Sequence, residues 1–200
     1  MDAAVRRETD SARESGQNTP SAAIPACFVW AALVVAFVAT AGSLWLSVGM
    51  GLKACPLCFY QRTLAMSTLG VLGIGVLTGR GHRNVLCVLA LPMAVGGFGV
   101  AVFHVILELT GKLECPPGIL GVGTAPEQSL VVFLLLFVLV ALAAVRAGTF
   151  GEPRMGVSLA ALVLGALFAV GAAISSPPMP APPTKAYGTP LEICRPPFRP

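Results

Sequence analysis

Charged residues are scarce in this chain. Asp, Glu, Lys and Arg make up only 11% of its 200 residues, whereas hydrophobic residues make up 56%. A soluble globular domain has about 25% charged residues, because its surface must be hydrated. The composition therefore excludes an ordinary soluble domain and predicts an integral membrane protein.

The sequence also lacks the motifs of several large enzyme classes. It has no phosphate-binding loop, no nucleophile triad and no internal repeat that we recognise. Its formal net charge is only +4, which we attribute to membrane topology. We therefore predict no nucleic-acid partner.

Five long runs contain no charged residue, and each is close to the ~20 residues that a helix needs to span hydrocarbon. These runs are 26–52, 63–79, 85–107, 129–145 and 157–174. We therefore predict an all-α membrane protein with five transmembrane helices over 26–176. An N-terminal tail (1–25) and a Pro-rich tail (177–200) flank this domain.

Basic residues predict the orientation of the helices, because Lys and Arg are retained on the cytoplasmic side of short loops. With the N-terminus inside and the last tail set aside, seven basic residues are cytoplasmic and three are outside. The seven are Arg6, Arg7, Arg13, Arg80, Arg83, Arg146 and Arg154, and the three are Lys53, Arg62 and Lys112. Five spans then place the C-terminal tail outside, with the loops at 53–62 and 108–128.

Four of the six cysteines fall on the predicted outer face: Cys55, Cys58, Cys115 and Cys194. The outer face of a bacterial plasma membrane is oxidising, so four cysteines there suggest two disulfides. The natural pairing is Cys55 with Cys58 and Cys115 with Cys194. Nothing in the sequence alone forces the second pair.

Other residues within the helices are assigned no chemistry. Cys27 and Cys87 fall in the first and third helices, where thiols pack as small hydrophobes, and we expect both to fill the core. Gly70 and Gly73 in the second helix, and Gly96, Gly97 and Gly99 in the third, permit close packing between helices.

A Cys-x-x-Cys motif, Cys55-Pro56-Leu57-Cys58-Phe59-Tyr60-Gln61-Arg62, lies between the first two apolar runs. Proline suits the first turn of a helix, and a helix N-terminus lowers the pKa of a thiol. Arg62 is four residues beyond Cys58 and on the same helix face. Two roles are open for Arg62. It stabilises the Cys58 thiolate or a reduced electron acceptor beside that thiolate, or it anchors the helix at the membrane boundary.

Three features lie further along the chain. His104 is near the outer end of the third helix, where it either packs or lines a site. Cys115 follows in a loop rich in Pro and Gly, so we expect it to be exposed and mobile. The tail at 177–200 is richer still in proline and by itself predicts an extended, disordered segment around Cys194.

The Cys55–Arg62 motif, the histidine near the end of the third helix and a cysteine eleven residues later resemble the DsbB family over about residues 26–146. The resemblance implies a four-helix bundle, extended here by a fifth helix. It also implies a multi-pass enzyme of the bacterial inner membrane that reoxidises a periplasmic DsbA-like oxidase. The electrons pass to a quinone, either ubiquinone or menaquinone.

The resemblance also implies roles for five residues. Cys55 and Cys58 match the quinone-proximal pair, while Arg62 and His104 match residues that support the quinone site beside Cys58. Cys115 matches the first cysteine of the second outer loop, which exchanges with the partner. All five positions follow the family pattern.

The family pattern is broken in the second outer loop, where no further cysteine lies between 116 and 128. Cys194 in the tail is the expected substitute, and the resemblance leaves open whether Cys115 or Cys194 meets the partner first. We expect Cys55, Cys58, Cys115 and Cys194 to be catalytic.

Three other kinds of protein share some of these sequence features. A vitamin K epoxide reductase-like enzyme has similar parts, but its shuttle pair precedes the quinone-side pair, and here the order is reversed. A non-catalytic scaffold protein with two structural disulfides would have inert outer loops and no bound quinone. A zinc site of four cysteines fits tetrahedral coordination, but oxidation of the outer face argues against it, and we predict no metal.

Overall fold

The structure, a computed structural model, describes residues 23–78, 83–119, 121–146, 155–178, 181 and 183–198. The helices there are α1 Ala23–Val48, α2 Pro56–Thr78, α3 Arg83–Leu109, α4 Ala125–Arg146 and α5 Met155–Ser175. The described residues contain no named strand, only isolated β-bridges. The predicted all-α fold with five helices is confirmed, while nearly all of the N-terminal tail predicted at 1–25 lies outside the described residues.

Four helices, α1, α3, α4 and α5, are long and apolar enough to cross a membrane. The remaining helix, α2, has 23 residues and is therefore about 35 Å long, but Gln61 and Arg62 lie near its start. Apolar side chains on the outer faces are exposed, including Leu77 and Val163, which suits contact with lipid. The chain is a multi-pass membrane protein, and the transmembrane course of α2 and the side that each loop faces stay predictions.

The central helix is α3, which packs against α2, α4 and α5, whereas α1 packs against α2 and α4. Small residues such as Ala36, Ala94 and Ala144 are fully buried between helices, next to Leu91 and Leu136. Between membrane helices the driving force is close packing, which small residues allow.

The contact between α3 and α5 is especially close. A Cβ atom added at Gly165 would lie 2.6 Å from Val95 Cβ and 2.8 Å from the Pro92 carbonyl oxygen. A Cβ added at Gly99 would lie 2.6 Å from Ala169 Cβ. The close packing expected at the glycines of α3 is confirmed, and it fixes α5 against the centre of the bundle. The same expectation is wrong for the two glycines named in α2, because nothing would lie within 4 Å of a Cβ added at Gly70, and a Cβ added at Gly73 would make only an ordinary 3.8 Å contact with Leu33.

Two loops and the tail meet at one end of the bundle. They are the first loop (49–55), the second loop (110–119 and 121–124) and the described part of the tail (176–178, 181 and 183–198). The backbone N–H of Lys53 donates to the Glu192 carbonyl at 2.9 Å. Glu114 and Arg195 exchange two backbone hydrogen bonds, of 2.8 and 3.0 Å. The tail is therefore held against both loops.

Candidate active site

Cys55 and Cys58 lie at the start of α2. Cys55 directly precedes the helix and Pro56 begins it, as the motif predicts. The backbone N–H of Cys58 donates to Cys55 Sγ at 3.3 Å, and the two sulfurs are 2.8 Å apart. Both are free thiols, so the structure differs from the disulfide expected here. Whether such a pair is a disulfide or two thiols depends on the electrons that it has received. The sequence does not encode this redox state.

The surroundings of Cys55 favour its thiolate. The hydrogen bond between the Cys55 and Cys58 side chains has the largest effect and lowers the pKa of Cys55. Burial raises it, the His104 imidazole lowers it further, and the result is a shift from 9.0 to about 5. The lowered pKa favours the thiolate of Cys55, the form in which a thiol attacks a disulfide or leaves one.

Replacing Cys58 with alanine is expected to raise the pKa of Cys55 from about 5 towards 9.0, because the largest stabilising contact of the thiolate is lost. The ultraviolet absorbance of the thiolate, titrated against pH in a chain that also has Cys27→Ser, measures this shift. Cys87→Ala is the matched control and leaves the titration of Cys55 in place. An unchanged titration in Cys58→Ala would refute the assignment.

Three cysteine sulfurs lie close to the His104 side chain. Its side chain is fully buried in α3. The Nε2 atom lies 3.8 Å from Cys55 Sγ, 3.6 Å from Cys115 Sγ and 3.5 Å from Cys194 Sγ. One imidazole nitrogen can therefore stabilise a thiolate on any of the three cysteines.

The second loop and the tail are joined by a disulfide between Cys115 and Cys194, which are 79 residues apart in the chain. Cys115 is only 6% exposed, whereas Cys194 is partly exposed. The expectation that Cys115 lies on an exposed loop is wrong, because the tail and α3 cover it.

A cluster of side chains reinforces the attachment of the tail. The Arg195 guanidinium donates to Glu114 Oε1 at 2.8 Å and lies 3.8 Å from the centre of the Tyr187 ring. Lys53 and Glu192 form a more exposed ion pair at 3.4 Å. Together with the backbone bonds between Glu114 and Arg195, these contacts form what we call the tail clamp.

Arg62 lies one turn beyond Cys58 and is bound to α1. Its guanidinium donates to Ser43 Oγ at 2.9 Å, to the Ser43 carbonyl at 2.9 Å and to Ser47 Oγ at 2.6 Å. The positive charge is thus fixed beside the dithiol by hydrogen bonds between helices. Sequence spacing shows the helix face of Arg62, but not these partners.

Gln61 is a buried polar residue for which the sequence pattern predicted no role in the site. It is 5% exposed, and its Oε1 accepts a hydrogen bond from Ser129 Oγ at 2.9 Å. Its Nε2 has no partner among the described residues. A polar residue within a predicted membrane helix marks a functional position, and this signal was present in the sequence.

The donor atoms of Cys55, Cys58, His104 and Cys194 lie within 4.8 Å of one another. Because the sulfur of Cys194 is bonded to Cys115, this cluster has three free donors, one fewer than a structural zinc site takes from the protein. The other two cysteines lie in α1 and α3. Cys87 is buried as expected, but the expectation that Cys27 fills the core is wrong, because its side chain is exposed.

The chain is similar in sequence to known disulfide bond formation proteins. Disulfide bond formation protein C of Bacillus subtilis is 30% identical over 130 residues, which cover 58% of this chain and 91% of that protein. Disulfide bond formation protein B of Xanthomonas campestris is 36% identical over 90 residues, 41% of this chain and 52% of that protein. No solved structure matches. The family described as "Disulfide bond formation protein DsbB" matches residues 25–129, and the chain belongs to this family.

Proposed function

We propose that this protein reoxidises a periplasmic DsbA-like thiol oxidase and passes the electrons to a membrane quinone. Membership of a disulfide bond formation family supports a disulfide oxidoreductase. One observation carries the proposal further: Cys55 of the reduced pair and both cysteines of the oxidised pair contact one buried imidazole, that of His104. This arrangement fits a relay of thiol–disulfide exchanges. We further propose that the site faces the periplasm from the bacterial inner membrane.

In the first exchange, a thiolate of the partner attacks the Cys115–Cys194 disulfide. The partner's second thiol then attacks the mixed disulfide between the partner and this protein. The partner leaves with its own disulfide, while Cys115 and Cys194 keep two electrons as thiols. His104 Nε2, 3.5–3.6 Å from both sulfurs, stabilises the thiolate that is released.

In the second exchange, the Cys115–Cys194 dithiol reduces a Cys55–Cys58 disulfide. The low pKa of Cys55 makes it a good leaving sulfur in the last step, when the mixed disulfide between Cys55 and the outer pair is resolved, since a thiol with a low pKa leaves fastest. The products are the Cys115–Cys194 disulfide and the Cys55–Cys58 dithiol. This is the redox arrangement that the structure contains.

The residues around Cys58 fit a quinone. Gln61 has a buried amide N–H group without an acceptor among the described residues, and Thr40 has a buried hydroxyl in the same condition. Thr40 lies one turn before Ser43 on α1, the residue that binds Arg62. Cys58, Arg62 and His104 would hold the quinone, together with Gln61. When bound, the quinone accepts the two electrons and two protons that the dithiol gives up on returning to a disulfide.

The proposal is tested with the purified full chain in lipid nanodiscs, supplied with a reduced DsbA-like protein and either ubiquinone or menaquinone. Loss of quinone absorbance is expected, with one quinone reduced for each partner disulfide formed. Heat-denatured protein gives the background rate. Absence of turnover with both quinones and several partners would favour a scaffold protein in which the disulfide is structural.

A further inference from the structure

We infer that Cys194 is the sulfur that moves between the partner and Cys55, and that Cys115 is the resolving cysteine. This inference rests on the proposed function and assigns an order to its exchange steps. It departs from the expectation that the family resemblance creates, in which the cysteine of the second loop exchanges with the partner.

The first argument is access. An incoming thiolate must reach the sulfur that it attacks, and exchange rates depend on this access. Cys115 is 6% exposed, and Pro116 beside it is also buried. Cys194 is partly exposed. The partner therefore attacks Cys194, and Cys115 leaves.

The second argument is the position of Cys194 relative to the inner pair. Its Sγ lies within 4.8 Å of the sulfurs of both Cys55 and Cys58. A disulfide requires about 2 Å between sulfurs, so a displacement of a few ångströms brings Cys194 to Cys55. Cys194 is thus both partly exposed and close to the inner pair.

The tail clamp provides the third argument. When the disulfide opens, the backbone hydrogen bonds between Glu114 and Arg195 remain, as does the 2.8 Å bond between their side chains. Arg195 directly follows Cys194 in the chain. The clamp therefore keeps Cys194 beside His104 while the sulfur is reduced.

The steps balance as follows. The partner thiolate forms a bond to Cys194, which releases Cys115 as a thiolate. The partner's second thiol then attacks the partner's own first sulfur in this mixed disulfide and releases Cys194 as a thiolate. Cys194 next attacks Cys55 of the inner disulfide and releases Cys58. Finally, Cys115 attacks Cys194, restores the outer disulfide and releases Cys55. Two electrons have moved from the partner to Cys55 and Cys58.

Two matched full-length variants test which sulfur reaches Cys55. Both contain Cys27→Ser, Cys87→Ser and Cys58→Ser. One also has Cys115→Ser, leaving Cys55 and Cys194, and the other has Cys194→Ser, leaving Cys55 and Cys115. In a glutathione redox buffer, the Cys55–Cys194 disulfide is expected to form roughly tenfold faster than Cys55–Cys115, as measured by mass spectrometry of peptides. Equal rates, or faster pairing with Cys115, would overturn the inference.

A second measurement uses the unaltered chain, so it does not depend on how the variants fold. The oxidised protein is treated briefly with reduced glutathione, and the mixed disulfide is located by peptide mapping. Glutathione on Cys194 is expected, and glutathione mainly on Cys115 would contradict the assigned order. Neither measurement needs the partner or a quinone, so failure here is distinguishable from failure of the proposed function.

Discussion

A chain in which Cys58 is replaced by serine is expected to transfer no electrons from a dithiol partner to quinone. Cys55 can still form a mixed disulfide with a cysteine of the outer pair, but without Cys58 there is no second thiol to complete the inner disulfide. The rate therefore falls to that of the reaction without protein, a loss of about 10³-fold or more. Quinone absorbance under steady-state conditions measures this loss.

The matched control is Cys87→Ser, which removes a buried cysteine outside the redox cluster. Its turnover is expected to equal that of the unaltered chain. Residual activity of Cys58→Ser above background would mean that electrons reach the quinone without the Cys55–Cys58 pair. That result would rule out the relay as described.

Replacing Gly165 with leucine is expected to separate α5 from α3 and to displace the tail. The added Cβ atom alone would meet Val95 Cβ at 2.6 Å and the Pro92 carbonyl oxygen at 2.8 Å. A backbone carbonyl cannot rotate away as a flexible side chain can, so the helix itself must move. Overpacking of this kind costs roughly 1–3 kcal/mol, and it moves the segment that positions Cys194.

Gly171→Leu is the control for this prediction, because Gly171 lies on the same helix and nothing would lie within 4 Å of its added Cβ. Free thiols counted by alkylation under non-reducing conditions report the outer disulfide. We expect a large fraction of Gly165→Leu chains to have lost it, and nearly all Gly171→Leu chains to keep it. Equal disulfide content in the two variants would show that α5 does not position the tail.

Much of the fold follows from the sequence. The apolar runs locate all five helices, although α2 begins at Pro56, seven residues before the run that predicted it. The run begins late because Gln61 and Arg62 interrupt the hydrophobic pattern within a continuous helix. Local patterns are sufficient here because a membrane helix satisfies its own backbone hydrogen bonds.

The site is less predictable because its contacts join segments that are distant in the chain. The Cys-x-x-Cys motif gives the start of α2, but the bonds from Arg62 to Ser43 and Ser47 depend on how α1 and α2 align. Proline content predicts a disordered tail, yet pairing between Glu114 and Arg195 holds it in place. The convergence of the sulfurs on His104 likewise depends on tertiary structure.

The distance along the chain between Cys115 and Cys194 has a consequence for biosynthesis. A ribosome adds about 5–20 residues per second, so the 79 residues that follow Cys115 up to and including Cys194 take about 4–16 s to make. During that interval Cys115 is without its disulfide partner, and α5 must still be inserted. The outer disulfide therefore forms only after the fifth helix has been made, and the outer cysteine pair is incomplete for as long as α5 is being translated.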